Sequence, residues 1–207
     1  QCLKNNLNIT RFNAINGKLI NLNDIEIKKR FGNEPLKNEI IKNKFLQRNQ
    51  IGCALSHINL WKKIVEENNN IILVLEDDAI VPNDFQKKLL DYTNQLPDNW
   101  DMLICGGNKF QGKIYSTNLI KPIKNKYGNY GTFGYIIKKD TAKKLLKNCE
   151  FMTKSIDYHL NLNFYEQNNV FFCNPQLIKH NYEFFSNIMK KTRSEHNKKG
   201  NIIKIIT

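Results

Sequence analysis

One short stretch constrains the fold of this chain more than any other, because it joins a continuous apolar run to a cluster of acids. The run is Ile71-Ile-Leu-Val-Leu75, and Glu76-Asp77-Asp78 follows it directly. An apolar run without polar alternation predicts a central strand that is buried on both faces, as strands of parallel sheets are. Because ligands bind at the carboxyl ends of strands in open α/β sheets, we expect the acids at a functional edge.

Predicted strands alternate with predicted helices along most of the chain. The clearest helix runs from about Leu55 to Glu67, with an apolar stripe at helical spacing that includes Ile58, Trp61 and Val65. This alternation predicts an α/β sandwich with a mostly parallel central sheet. The further predicted elements are strands over 11–15, 102–105, 133–137 and 170–173, and helices over 83–95, over 155–166 and from an Asp140 cap to Leu146.

The acidic cluster has two interpretations. Adjacent carboxylates repel one another, and a hard divalent cation, Mg²⁺ or Mn²⁺, is the natural partner that would in turn hold a diphosphate. The alternative is a solvated acidic turn, which is common at the ends of strands. The position of Glu76-Asp77-Asp78 directly after the most buried predicted strand favours the cation site.

Three further residues are candidates for chemistry, and each keeps more than one interpretation. His57 follows Ser56 near the start of the Trp61 helix, where it would cap, pack or bind a ligand. Asp157 lies at the start of a predicted helix, either as its N-cap or as a general base that takes a proton from an acceptor. His180 is either a surface residue or a late metal ligand that completes the carboxylate site.

A glycine-bracketed segment, Gly131-Thr-Phe-Gly-Tyr135, begins another predicted strand. Glycine at such a place often marks the close approach of a ligand or of another backbone segment. The segment lacks the Gly-x-x-x-x-Gly-Lys pattern, so it is not a phosphate-binding loop of that kind.

The formal net charge of +13 raises the question of a nucleic-acid partner. The cations are mostly Lys, spread along the chain together with abundant Asn and Ile, and Arg occurs only at 11, 30, 48 and 193. This composition indicates a Lys-rich surface and the codon bias of an AT-rich genome, so no nucleic-acid partner is predicted. A positive field would still attract a nucleotide diphosphate.

Length and cysteine content bound the organisation of the chain. The 207 residues suit one domain over 1–207, and no apolar run approaches the roughly 18 residues of a membrane-spanning helix. Cys53, Cys105 and Cys173 lie in apolar runs without a CxxC pair, which predicts buried thiols. Because the chain begins at Gln1 rather than Met, we expect an excerpt of a longer protein, and compartment and oligomeric state stay open.

Several short motifs, taken in order, resemble glycosyltransferase family 25. That family includes bacterial lipooligosaccharide galactosyltransferases and the collagen hydroxylysine sugar transferases, and the resemblance covers roughly residues 11 to 188. The matching segments are Phe12-Asn-Ala-Ile-Asn-Gly-Lys18, Ile51-Gly-Cys-Ala-Leu-Ser-His57 with Trp61, Val74-Leu-Glu-Asp-Asp-Ala79, Trp100-Asp101, Gly131-Thr-Phe-Gly-Tyr-Ile-Ile137, Ser155-Ile-Asp157 and Pro175-Gln-Leu-Ile178.

The resemblance implies a GT-A fold, that is, one Rossmann-like nucleotide-binding domain with an acidic metal motif. It implies a UDP-sugar donor, Mn²⁺ or Mg²⁺ as cofactor, and transfer of a hexose with inversion. The implied metal site has Asp78 as its first ligand and includes Glu76, which faces ribose or metal-bound water. Further implied roles are Asp77 in the donor site, His180 as a metal ligand, Asp157 as base, Ser56 and His57 lining the donor pocket, and Ala14, Asn16 and Gly17 bordering uracil and ribose.

The acceptor stays open between hydroxylysine or galactosyl-hydroxylysine of a collagen-like protein and a surface saccharide such as lipooligosaccharide. Lys179-His180-Asn-Tyr182 resembles the His-Tyr of the collagen-type members and favours the former. Galactose and glucose differ by one hydroxyl epimer, which a single hydrogen bond can decide. The composition would suit a large DNA virus or an AT-rich bacterium, with the protein in the cytoplasm or the secretory lumen.

Two rival interpretations remain beside the enzyme. A basic nucleic-acid-binding module would require basic residues interleaved with aromatic residues on one surface. A degenerate, inactive family member is favoured by the absence here of the family's first strand with its Asn-Leu-Asp-Arg-like motif, which also fits an excerpt. The intact Glu76-Asp77-Asp78 argues against inactivity.

Overall fold

The computed structural model describes residues 7, 9–33, 47–125 and 128–181, together with the backbone of 201–206. The strands in these residues are β1 (Ile9–Asn13), β2 (Ile71–Glu76), β3 (Ala79–Ile80), β4 (Met102–Asn108), β5 (Gly112–Ile114), β6 (Leu119–Pro122), β7 (Tyr130–Lys138), β8 (Val170–Cys173), β9 (Lys179–His180) and β10 (Asn201–Ile206). The helices are α1 (Ile25–Phe31), α2 (Arg48–Glu66), α3 (Phe85–Thr93), α4 (Lys139–Asn148) and α5 (Ile156–Asn163).

The strands form one large sheet and one small ribbon. The eight-stranded sheet has the order β1-β10-β2-β7-β4-β8-β6-β5, and β3 pairs with β9 in the ribbon. β2 lies between β10 and β7, so the apolar run is confirmed as a central strand. The predicted α/β class is also confirmed, because helices pack against this sheet.

The expectation of a mostly parallel sheet is wrong. Among the described strands, β4 and β8 run parallel, whereas the other neighbouring pairs of the sheet run antiparallel. The parallel arrangement was inferred from burial on both faces, but such burial requires only that both faces of the sheet are covered. Here β7 returns between β2 and β4 and runs antiparallel to both.

Two apolar layers cover the sheet, and β2 contributes to both of them. Ile72 and Val74 belong to the layer that contains the buried residues of α2, α4 and α5. Leu73 and Leu75 belong to the opposite layer, which contains Phe85 of α3. Because successive side chains of a strand point to opposite faces, a strand covered on both sides needs a continuous apolar run. Full burial of each such side chain contributes about 1.5–3 kcal/mol.

Two helix starts differ from the predictions. Helix α2 begins at Arg48 rather than near Leu55, and Gln50 Oε1 accepts a hydrogen bond from the Gln47 N–H at 2.6 Å at this end. The Asp140 cap was wrong, because α4 begins at Lys139 and Asp140 lies in its first turn. The predicted start of α2 was too late because the stripe was counted from Ile58, whereas Ile51 and Ala54 are buried as well. In α4 the polar first turn carries no periodic signal.

Burial of the thiols is confirmed at two of the three predicted positions. Cys105 and Cys173 are buried free thiols, and Cys53 is a half-buried free thiol. None of the described helices is both long enough and apolar enough to cross a membrane.

Candidate active site

The acidic turn joins β2 to β3, and the small ribbon brings a histidine to it. Glu76 ends β2, and Asp77 and Asp78 form the turn. Pairing of β3 with β9 continues beyond the ribbon, where the Asn181 N–H donates to the Asp78 carbonyl at 2.8 Å. His180 Nε2 lies 3.0 Å from Asp78 Oδ2. The structure thus brings Asp78 and His180, two predicted metal ligands, into contact, while Asp77 is exposed.

Asp78 lies in surroundings that disfavour its negative charge. The pKa of Asp78 is raised from 3.8 to about 6. Burial is the main cause, the charges of Glu76 and Asp77 raise the pKa as well, and His180 lowers it. Asp78 Oδ1 is buried and has no hydrogen-bond partner among the described residues. A cation at this oxygen would satisfy it and relieve the repulsion between the acids. These residues therefore fit a divalent metal ion.

Glu76 is anchored through one of its carboxylate oxygens. Thr132 Oγ1 donates to Glu76 Oε1 at 2.6 Å, and His57 Nε2 lies 3.2 Å from the same oxygen. Burial raises the pKa of Glu76, but the hydrogen bonds from His57 and Thr132 outweigh it and hold the pKa below its ordinary value. Glu76 is therefore ionised at neutral pH. Its side chain is 23% exposed, which leaves the other oxygen, Oε2, for a ligand.

His57 is fully buried and reaches the acidic turn through Glu76. On its other side, His57 Nδ1 lies 2.9 Å from the Tyr135 hydroxyl, which accepts a hydrogen bond from Trp61 Nε1–H at 2.9 Å. Of the interpretations open for His57, packing inside a hydrogen-bonded network is what the structure shows. Because the side chain has no exposed surface, its predicted role in the donor pocket is an indirect one.

Thr132 and Tyr135 were not predicted as site residues. Side chains three positions apart on a regular strand point to opposite faces, yet both of these contact the His57 ring. The β4–β7 ladder has register shifts in this region, and such bulges re-aim side chains next to functional sites. The glycines of the bracketed segment, Gly131 and Gly134, are the signal in the sequence that could have indicated this irregularity.

The loop after β1 is fixed against α2. Ser56 Oγ accepts a hydrogen bond from the Ile15 N–H at 2.8 Å, which holds the loop beside half-buried Ala14. Gly17 is buried, and a Cβ at this position would collide with the Arg48 carbonyl oxygen. Ser56 and Gly17 therefore have a structural role, because they hold the loop after β1 against α2. Their predicted places in the donor pocket remain predictions.

Asn16 lies apart from the acidic turn. It lines a cleft of about 410 Å³ together with Leu55 of α2. Leu55 is two positions after Cys53 and two before His57. Two positions correspond to about 200° around the helix axis, so Leu55 lies on the side of α2 opposite to Cys53 and His57. Because Cys53 and His57 face Glu76, the cleft opens on the other side of α2. The predicted contact of Asn16 with the nucleoside stays a prediction.

Asp157 is held by backbone donors in the first turn of α5. Ser155 occupies the N-cap position, so Asp157 is not the cap of this helix. Asp157 Oδ2 accepts from the Gly131 N–H at 3.1 Å, and Oδ1 accepts from the Tyr158 N–H at 2.9 Å. The carboxylate is half-buried and fixed in orientation. The interpretation of Asp157 as a general base remains a prediction with suitable geometry.

Cys53 lies close enough to three acids for their charges to affect the pKa of its thiol. Burial raises the pKa of its thiol well above the ordinary value, and the charges of Glu76, Asp157 and Asp78 raise it further, so these acids surround one region. Cys53 Sγ, His57 Nε2 and a Glu76 oxygen lie within 4.8 Å of one another, a set that could hold a metal ion. A protonated thiol and an already hydrogen-bonded imidazole nitrogen make this set a poorer fit than Asp78.

A cleft of about 450 Å³ opens beside the Asp78–His180 pair. His180 lines it together with Phe133, and the two rings pack edge to face with centroids 5.3 Å apart. Lys109 and Lys179 also line the cleft and give it positive charge. Its volume lies in the range of small-molecule sites.

An α/β sheet whose central strand ends in a metal-compatible acidic turn beside such a cleft fits the class of glycosyltransferases. Comparison with known proteins agrees, because the family model described as "Glycosyltransferase family 25 (LPS biosynthesis protein)" matches residues 1–160. The chain belongs to glycosyltransferase family 25, and the resemblance inferred from the motifs is confirmed.

Relatives of known function cover parts of the chain. A human protein named "Procollagen galactosyltransferase 2" is 33% identical over 107 residues, which is 49% of this chain. A protein of Acanthamoeba polyphaga mimivirus named "Procollagen lysyl hydroxylase and glycosyltransferase" is 31% identical over 161 residues, 72% of this chain. An Anopheles gambiae "Glycosyltransferase 25 family member" is 33% identical over 105 residues, 47% of this chain. The chain spans 17% of the length of each of the three relatives.

Proposed function

We propose that this glycosyltransferase uses a GT-A domain to move a hexose, galactose or glucose, from a UDP-sugar to an acceptor hydroxyl in a metal-dependent, inverting reaction. The observation that carries the proposal is the Asp78–His180 pair at the carboxyl end of β2, in which Asp78 Oδ1 is buried without a hydrogen-bond partner among the described residues. An orphaned carboxylate oxygen at the edge of a cleft fits a cation that arrives with the substrate.

In this proposal the acids hold the donor. Asp78 and His180 would hold Mn²⁺ or Mg²⁺, which would supply positive charge for the leaving diphosphate. Glu76 Oε2 accepts a hydrogen bond from the ribose or from a water of the donor complex. The cations Lys109 and Lys179 in the adjoining cleft add attraction for the diphosphate.

Asp157 is the proposed general base. Its oxygens each accept one backbone hydrogen bond, which fixes the carboxylate and leaves lone pairs for an acceptor hydroxyl. The oxygen of the acceptor hydroxyl attacks the anomeric carbon while the hydroxyl proton passes to Asp157. The bond from the anomeric carbon to the diphosphate breaks, and the configuration at this carbon is inverted. One base and one displacement account for the reaction without a covalent intermediate.

The proposed acceptor is hydroxylysine or galactosyl-hydroxylysine of a collagen-like protein. Support comes from the names of the human and mimivirus relatives, which refer to procollagen. A surface saccharide such as lipooligosaccharide is the second candidate, supported by the words "LPS biosynthesis protein" in the description of the family.

The experiment is a UDP-release assay with UDP-galactose and UDP-glucose, each with and without Mn²⁺. A hydroxylysine-bearing collagen peptide, its galactosylated form and a lactose-type saccharide are offered in turn as acceptors. We expect release with one donor and one acceptor class, only with Mn²⁺, and loss of release in Asp78→Ala. Asp91→Ala, at an exposed position of α3, is the matched control and should keep full activity. Release from none of the pairs by a folded protein would contradict the proposal.

A further inference from the structure

A line of hydrogen bonds crosses the core from α2 to the acidic turn. It runs from Trp61 Nε1 to the Tyr135 hydroxyl, on to His57 Nδ1, and from His57 Nε2 to Glu76 Oε1, with separations of 2.9, 2.9 and 3.2 Å. Trp61, Tyr135 and His57 are fully buried, whereas Glu76 is partly exposed. Buried polar groups of this kind are costly unless every donor and acceptor is satisfied.

The direction of donation along this line is fixed by chemistry. An indole nitrogen only donates, so the Tyr135 oxygen accepts from Trp61. The Tyr135 hydroxyl has one proton, and His57 Nδ1 is the acceptor in reach among the described residues. If Nδ1 carried a proton, the hydroxyl proton would be buried without an acceptor. His57 Nδ1 is therefore unprotonated, and the His57 proton lies on Nε2, which is 3.2 Å from both Glu76 Oε1 and Thr132 Oγ1.

Both donors to Glu76 end on the same oxygen. Thr132 Oγ1 donates to Oε1 at 2.6 Å, and His57 Nε2 lies 3.2 Å from both this oxygen and Thr132 Oγ1. With Oε1 bound on the buried side, rotation of the carboxylate is restricted and Oε2 is held toward the exposed side. This is how buried groups pre-organise a residue that contacts a ligand.

We propose that His57, Tyr135 and Thr132 are positioning residues, and that they hold Glu76 for the donor through the neutral Nε2–H tautomer of His57. The role of Glu76 toward the donor rests on the proposed function, whereas the tautomer and the fixed carboxylate do not. Thr132 reaches Glu76 because the register shift of β7 turns it to the same side as Tyr135.

The tautomer is tested by nitrogen-15 NMR of the ligand-free protein at pH 7.5, with the His57 signals assigned by their loss in His57→Gln. We expect an unprotonated Nδ1 and a protonated Nε2. Tyr135→Phe should change this pattern, because Nδ1 loses its donor. Tyr165→Phe is the matched control, since the buried Tyr165 hydroxyl has no hydrogen-bond partner among the described residues. A proton on Nδ1, or an unchanged spectrum in Tyr135→Phe, would overturn the proposal.

The positioning role is tested by kinetics of Thr132→Val and Thr132→Ser. Loss of one hydrogen bond to a charged group should raise KM for the UDP-sugar about tenfold in Thr132→Val, with little change in kcat. Thr132→Ser keeps the hydroxyl and should restore the wild-type KM. A fall in kcat at constant KM, or equal behaviour of both variants, would contradict positioning. If the wild-type protein fails to use any UDP-sugar, the proposed function fails, and the NMR result still decides the tautomer.

Discussion

Replacement of Asp78 by Asn should make the metal-free protein more stable at neutral pH while it removes activity. Asp78 titrates near pH 6 in the folded protein, well above its ordinary value of 3.8, chiefly because of burial. The folded state therefore binds more protons than the unfolded state between these two pH values. Its stability falls as the pH rises through this window, and the full penalty is present above about pH 6.

The magnitude follows from the same pKa. A rise from 3.8 to about 6 corresponds to about 3 kcal/mol of lost stability at pH 7.5. Because this pKa already includes the opposing effect of His180, the net expectation for Asp78→Asn is a gain of about 3 kcal/mol, or roughly 6–12 °C in Tm for a chain of this length.

The assay is thermal and urea unfolding of the wild-type protein and Asp78→Asn at pH 7.5 and pH 4, in chelator and with Mn²⁺ plus UDP. The gain of the variant should disappear at pH 4, where Asp78 is protonated in the folded wild-type protein. Mn²⁺ with UDP should stabilise only the wild-type protein. An Asp78→Asn protein that is less stable than the wild-type protein at pH 7.5 in chelator would refute this reasoning.

Three further perturbations follow from the site and its supports. Asp157→Asn should lower hexose transfer at least about 100-fold while calorimetry finds UDP binding unchanged, and lost UDP binding would instead make Asp157 a donor ligand. Chelation should abolish UDP release and added Mn²⁺ should restore it, whereas full activity in chelator would remove the metal from the account. Gly17→Ala should lower the free energy of unfolding by about 1–3 kcal/mol in urea, because its Cβ meets the Arg48 carbonyl, and unchanged stability would mean that the loop does not pack as described.

The local parts of the site were predictable from the sequence. The apolar run of β2 and its acidic end, Glu76-Asp77-Asp78, lie where the pattern placed them, because burial and strand ends leave signals within a few residues. Helix α2 was predicted from its apolar stripe in the same way. Strand direction left no such signal, so the antiparallel position of β7 between β2 and β4 was missed.

Long-range pairing accounts for the rest. His180 meets Asp78 because β9 pairs with β3, and no spacing rule connects residues so far apart in the chain. Thr132 and Tyr135 face His57 because of a register shift between β4 and β7. The flanking glycines hint at such an irregularity, but the partner of each side chain depends on the folded ladder. The ligand chemistry of imidazole, rather than periodicity, supplied the candidate role of His180.

The most direct test of the account is mass spectrometry of a hydroxylysine-bearing collagen-like peptide after incubation with the protein, UDP-galactose or UDP-glucose, and Mn²⁺. The account predicts a mass gain of one hexose with one of the two donors, which disappears in chelator and in Asp78→Ala. Hexose transfer that persists without a divalent metal ion, or in Asp78→Ala, would contradict the central claim that Asp78 and His180 hold the metal for sugar transfer.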